Sequence, residues 1–369
     1  MTSRAAQTLS RPFTLGRLTV PNRIAMAPMT RQFSPGGVPG EDVAAYYARR
    51  AAGGVGLIIT EGTYVGHPSA GESDRVPQFH GEDALAGWAR VAEAVHRVGG
   101  KIVPQLWHVG MTRTAGATSF PEAPAVGPSG LALDGTAPAT GRAMTQADLD
   151  DVIRAFAAAA ADAERLGFDG VELHGAHGYL IDQFLWSSTN RRTDAYGGSV
   201  PSRARFAAEI LTAVREAVSP DFPVIFRLSQ WKSRNYDARI AETPEELEAL
   251  LAPLSAAGAD AFHASTRRYW LPEFDGSDLN LAGWAKKLSG KAAITVGSVG
   301  LDSEFIPAQP RAAAPSDLTR LLDRLERDEF DLVAVGRALL SDPTWADKVL
   351  TDRPAELTPY TPESLHSLH

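Results

Sequence analysis

Eight short apolar runs, separated by longer amphipathic segments, limit the architecture of this chain more than any other feature. They are RIAMAP (23–28), GLIITEG (56–62), KIVPQLWHV (101–109), GVELHGA (170–176), VIFRLS (224–229), DAFHAST (260–266), AITVGS (293–298) and LVAVGR (332–337). Near-continuous apolarity is the mark of parallel strands covered on both faces. The segments between them carry helical spacing. In 243–257, Thr243, Pro244 and Glu246 supply a cap, a first-turn proline and a capping-box partner, and Leu247, Leu250, Leu251 and Leu254 form one stripe. In 145–166, Thr145 caps, Leu149, Val152, Ile153 and Phe156 face one way, and Gly167 stops the helix; in 200–218, Phe206, Ile210, Val214 and Val218 recur every four residues. Alternating strands and helices predict an α/β protein, a single (β/α)8 TIM barrel over residues 1–369 with long loops at the C-terminal face of its strands. The alternative is an open doubly wound sheet, but no G-x-G-x-x-G follows the first run and no Walker loop occurs. Residues 110–144, rich in Pro and Gly, follow the third run and are expected to be a capping insertion, because the strand–helix rhythm resumes directly after them.

The balance of 36 basic and 44 acidic residues gives a net charge of −8 and no reason to expect a nucleic-acid partner. The absence of cysteine excludes disulfides, thiolate metal sites, a cysteine nucleophile and cysteine-ligated clusters. The first residues lack the apolar core of a signal peptide, and no run of 18 apolar residues suggests a membrane span, so a cytoplasmic protein is expected. Monomer and homo-oligomer are both left open.

Active sites of such barrels form at the C-terminal strand ends. Polar residues that a buried strand does not require gather there: Gln105 and Trp107 on strand three, Glu172 and His174 on strand four, Arg227 on strand five, His263 on strand six, and Gly336 and Arg337 after strand eight. Buried polar groups need partners, in the core or in a ligand. The loops VGSVG (296–300) and VGRALLSDP (335–343) occupy the fold's usual phosphate position; glycines admit backbone N–H groups to an anion and Arg337 can fork onto its oxygens. A phosphate-tailed ligand in a mouth lined by Gln, Arg, His and Trp suits FMN, and composition alone does not separate FMN from a sugar phosphate. The stretch HGAHGYL (174–180) has three readings: a metal site completed by His263, Glu172 or Asp194, as in a barrel hydrolase; ordinary packing; or a catalytic triplet of His174, His177 and Tyr179.

The motifs LTVPNRIAMAPMTR (18–31), GLIITEGT (56–63), QLWHVG (105–110), GVELHGAHGYLIDQFLWSSTNRRTDAYGGS (170–199), FRLS (226–229) and VGRALLSDP (335–343), in this order, resemble the old yellow enzyme family of FMN-dependent ene-reductases. The resemblance runs from about residue 11 to about residue 350. It implies that Pro28, Met29 and Thr30 contact the flavin ring, Thr30 at its O4/N5 side. Gly62 and Gln105 would meet the ring and its pyrimidine edge, Arg227 N1 and O2, and Gly297, Ser298, Gly336 and Arg337 the phosphate. Trp107 would shape the substrate pocket, with Tyr269 a candidate at its rim. His174 and His177 would bind the substrate's carbonyl oxygen, and Tyr179 would donate a proton. Thr30 stands where some members carry Cys, and His177 where many carry Asn, so the chain mixes two branch patterns. Implied partners are NADPH or NADH and a small enone or nitroalkene. A non-catalytic flavin carrier would keep the phosphate loops but lack one of His174, His177 and Tyr179, all of which are present.

Overall fold

The computed structural model describes residues 3–114, 116–138, 141–233, 235–306 and 310–369. Each of the eight apolar runs forms a strand: β1 (Ile24–Met26), β2 (Leu57–Tyr64), β3 (Ile102–Trp107), β4 (Val171–His177), β5 (Val224–Lys232), β6 (Ala261–Ser265), β7 (Ala292–Val296) and β8 (Leu332–Val335). They are parallel, each pairs with its sequence neighbour, and β8 pairs with β1 to close a barrel. Closure leaves the barrel itself without an unpaired edge.

Helices run between successive strands: α1 (Glu41–Ala52), α2 (Glu82–Arg97), α3 (Gln146–Arg165), α4 (Val200–Ala217), α5 (Pro244–Ala256), α6 (Leu281–Ser289) and α7 (Thr319–Glu326). Their starts follow local chemistry. Thr145 accepts the Asp148 N–H while Asp148 accepts the Thr145 N–H, a closed capping box. Thr243 caps α5 as expected, but Glu246 reaches one residue further back, to the Glu242 N–H at 2.8 Å. Leu247, Leu250, Leu251 and Leu254 are all buried, at about 1.5–3 kcal/mol for each side chain.

Inside the barrel, Ala25, Leu57, Ile59, Val103, Ile225 and Ile294 form an apolar floor. A hairpin of Phe13–Leu15 and Leu18–Val20 seals it from below, with Leu18 and Val20 packed into the same cluster. The barrel is therefore filled and closed at the N-terminal end of its strands, and its polar groups are left at the other end. Segment 110–144 lies there. Arg113 ties it down through the carbonyls of Gly71, Ser119, Phe120 and Ala123. Leu133 packs so close to Gly178 that a β carbon on that glycine would stand 2.7 Å from Leu133 Cδ1. Ala115, Ala139 and Thr140 of this segment lie outside the described residues. Among the described residues, no helix is long and apolar enough to cross a membrane.

Candidate active site

Strand register assembles the site. His174 pairs with Arg227 across β4 and β5, Arg227 with His263 across β5 and β6, and Gln105 with Glu172 across β3 and β4. All five are buried. Glu172 binds the layer together: it accepts Gln105 Nε2 at 2.7 Å and meets His263 Nδ1 at 2.6 Å. Burial disfavours its charge, but His263 and Arg227 outweigh that and hold its carboxyl below the usual range. Arg227 Nη2 donates to Ser265 Oγ at 3.3 Å. Arg227 Nε, Trp107 Nε1 and His263 Nε2 are buried and have no partner in the protein. Orphaned buried polar atoms are rare, and three around one barrel mouth point to a ligand that supplies the missing partners.

Above this layer His174, His177 and Tyr179 come together. The His174 ring centroid lies 5.1 Å from that of His177 and 4.9 Å from that of Tyr179. Trp107 stacks beside His174 at 6.0 Å and meets Tyr179 edge-on at 4.8 Å. His174 Nδ1 accepts the Ala176 N–H at 3.4 Å, so the neutral ring carries its proton on Nε2. His177 Nε2 lies 2.8 Å from Ser265 Oγ. Arg227 donates to Ser265, whose own hydrogen is then free for His177 Nε2; in that tautomer the second imidazole's proton lies on Nδ1. Burial, and then the charge of Arg227, push both imidazoles well below the usual histidine range. Each is therefore a neutral N–H donor at pH 7. Burial and the charge of Glu72 raise the Tyr179 phenol to about 12, so it stays protonated.

The loops after β1 and β8 meet on the opposite side. A β carbon on Gly336 would stand 3.6 Å from Met29 Sδ and 3.9 Å from Ala27 Cβ, ordinary contact distances, so the ends of β1 and β8 lie side by side. Pro28 and Met29 are half-buried and Thr30 is exposed. Glu61 holds this loop by accepting the N–H groups of Arg31 at 2.7 Å and Gln32 at 3.2 Å; burial raises its carboxyl to about 7. Gly62 is required by packing, since a β carbon there would stand 2.6 Å from the Trp107 ring. Gly297 has φ 144° and a β carbon on it would meet Thr266 O at 2.6 Å, so only glycine fits. Ser298 donates to Arg267 O at 2.9 Å. Arg337 differs from the expected free fork: its guanidinium is held by the carbonyls of Ser303 and Glu304 and lies over Tyr360 at 5.4 Å.

One expected residue is misplaced. Tyr269 is buried, its ring packs edge-on against Trp270, and its hydroxyl is near the Leu321 backbone with Arg320 and Arg324 of α7. It faces the outer helix layer, because the chain turns sharply where the Tyr269 N–H binds Gly297 O. The metal reading finds no support in the geometry either. Glu172 and His263 are paired to each other, Asp194 to Arg192, and among the described residues no group of three His, Asp or Glu side chains is arranged to hold an ion. Two neighbours escaped sequence reasoning. Ser265 links His177 to Arg227, and Trp231 stacks on His177 at 4.4 Å. Ser265 lies two residues beyond His263 on the same strand face, a usable signal; Trp231 lies two residues beyond FRLS and has none.

A parallel barrel closed at its floor, with orphaned polar atoms at its mouth and glycine-lined loops after β7 and β8, defines a class that holds a flat, phosphate-tailed cofactor. A sequence profile of the NADH:flavin oxidoreductase / NADH oxidase family matches residues 8–356. An NADH oxidase of Thermoanaerobacter brockii is 36% identical over 355 residues, 93% of this chain and 50% of that protein; the chain thus spans about half the length of this relative. A chanoclavine-I aldehyde reductase of Penicillium roqueforti is 34% identical over 342 residues, 90% of this chain and 86% of its own. Among solved structures, morphinone reductase is 31% identical with a TM-score of 0.79, covering 97% of this chain and 92% of that one. The chain belongs to the NADH:flavin oxidoreductase / NADH oxidase family, the old yellow enzyme family that its motifs resemble. FMN is the cofactor of that family, and the unpartnered Arg227 Nε at the barrel mouth fits it.

Proposed function

We propose that the protein is an ene-reductase that uses NADH or NADPH to reduce small alkenes activated by a carbonyl or nitro group. When bound, FMN supplies the hydride, from N5 to the β carbon. Pro28, Met29, Thr30, Gly62 and Gln105 would hold the ring, Arg227 would supply positive charge at its pyrimidine edge, and Gly297, Ser298, Gly336 and Arg337 would hold the phosphate. As the hydride arrives, negative charge grows on the substrate's oxygen. His174 Nε2–H and His177 Nδ1–H receive it, stabilising the transition state more than the ground state. Tyr179 gives its proton to the α carbon, which completes a two-electron, one-proton-plus-hydride addition. Trp107 lies against both His174 and Tyr179 and limits how the alkene sits.

The convergence of two neutral imidazoles and a protonated phenol on one side of Arg227 carries this reading. Aldehyde reductase and morphinone reductase, the names of two relatives, agree with it. The test is anaerobic spectroscopy of the purified protein. Flavin absorbance that NADPH bleaches and cyclohexenone restores is the expected result. Bleaching that no enone or nitroalkene reverses would leave a flavin carrier, and a colourless protein that binds no FMN would overturn the assignment.

A further inference from the structure

Behind the His174–Tyr179 turn lies an ion pair that the proposed chemistry does not use. Lys232 Nζ and Asp182 Oδ1 are 2.8 Å apart, and both side chains are fully buried. Lys232 also donates to the carbonyls of Gln230 at 2.8 Å and Ser229 at 3.3 Å. The other carboxylate oxygen, Asp182 Oδ2, accepts the Gly178 N–H at 2.5 Å. Gly178 sits between His177 and Tyr179.

The backbone here is unusual. His177 has φ 65° and Gly178 has φ 86°, so two consecutive residues are left-handed and one of them carries a bulky side chain. Such a conformation is unfavourable and persists only where its surroundings over-determine it. Two acceptors do that by taking successive N–H groups: Ser229 Oγ takes His177 N–H at 2.9 Å, and Asp182 takes that of Gly178. Both acceptors depend on the end of β5, since Ser229 belongs to it and Lys232 neutralises Asp182. Trp231, from the same stretch, stacks on the His177 ring. A buried carboxylate without its cation would be strongly disfavoured.

Resting on the reductase reading above, we infer that Asp182 and Lys232 are positioning residues: Asp182 holds the left-handed His177–Gly178 turn that aims His177 and Tyr179 at one substrate, and Lys232 keeps Asp182 charged in the core. Neither touches substrate or cofactor. Their effect passes through the direction of the imidazole and the phenol, where a displacement of about 1 Å can cost on the order of 10²-fold in rate.

Two double variants of the holoenzyme separate positioning from plain stability. Replacing a buried ion pair by apolar residues of similar volume is often neutral or stabilising, so Lys232→Met with Asp182→Leu is expected to fold and melt near the parent. It lacks the acceptor for the Gly178 N–H. Lys232→Met with Asp182→Asn is also uncharged but retains an acceptor oxygen. The Leu variant is expected to bind phenols more weakly, judged by the long-wavelength band of the oxidised flavin, and to reduce cyclohexenone about 10–100-fold more slowly. Reduction of its flavin by NADPH should proceed at the parental rate, and the Asn variant should recover most of the loss. A Leu variant that matches the parent, an Asn variant no better than Leu, or equal losses in both half-reactions would overturn the inference. Should either double variant fail to fold, Ser229→Ala tests the other acceptor: weakened phenol binding supports the clamp, and parental binding overturns it. A parent that shows neither phenol band nor enone reduction overturns the reductase reading and this inference with it, whereas a normal parent with unaffected variants overturns the clamp alone.

Discussion

The floor and the mouth of the barrel use the same eight strands and opposite chemistry. At the floor, Leu57, Ile59, Val103, Ile225 and Ile294 interdigitate, and Leu18 and Val20 of the hairpin seal them from water. At the mouth, the inward positions of β3 to β6 are Gln105, Glu172, His174, Arg227, His263 and Ser265. Apolar burial stabilises with no demand on geometry. A buried polar layer stabilises only when each group is satisfied, and here Arg227 Nε, Trp107 Nε1 and His263 Nε2 are not. The barrel thus keeps its stability below and leaves incomplete hydrogen bonding above, where a cofactor and a substrate complete it.

That division can be broken or sharpened by substitution. The largest expected effect is at the mouth. His174→Ala with His177→Ala removes both donors; each is worth on the order of 10²–10³ in rate, so reoxidation by cyclohexenone should slow by roughly 10⁴–10⁶ and the phenol band should vanish. Retention of that band would place the oxygen site elsewhere. Tyr179→Phe should slow the same half-reaction by about 10²-fold or more and leave flavin reduction intact, as stopped-flow measurement of the two half-reactions would show. Equal loss in both would remove the proton-donor role.

The floor should answer in stability instead. Leu57→Ala is expected to cost about 2–5 kcal/mol in denaturant unfolding while kcat/KM of the folded fraction stays parental. Lost activity at unchanged stability would contradict the separation of floor from mouth. The smallest effect is graded and follows pH. His67, His80, His108, His174, His177 and His263 are all pushed below the usual histidine range, each chiefly by burial. The unfolded chain therefore binds protons near pH 6.5 that the folded chain refuses, and stability should fall as pH drops through and below about 6.5. Glu61, raised to about 7, acts in the other direction between its unfolded value of about 4.3 and 7, where the folded state holds the extra proton. Melting curves from pH 8 to 5 should show a net loss of stability, and Glu61→Gln should steepen it.

The strands and the polar positions on them were legible because their cause is local: apolar runs read as strands, and a Gln, Glu, His or Arg inside such a run has few places to go. Caps were legible for the same reason, down to Thr145 and Thr243. Tyr269 was misjudged because its direction is set by a turn against Gly297, one strand away. Arg337 follows β8, and its partners are the carbonyls of Ser303 and Glu304, in a loop with no periodic signal. Trp231 and the Asp182–Lys232 pair owe their places to register between β4 and β5, and nothing in their own neighbourhoods announces it, whereas Ser265 shares a strand face with His263.

The central claim is that His174 and His177, both neutral, grip one substrate oxygen beside the flavin while Tyr179 faces the alkene. A crystal structure of the FMN-loaded protein with a bound phenol tests it most directly. The phenol oxygen is expected within hydrogen-bond distance of His174 Nε2 and His177 Nδ1, with its ring over the flavin. A phenol bound elsewhere, or imidazoles turned onto a metal ion, would contradict it.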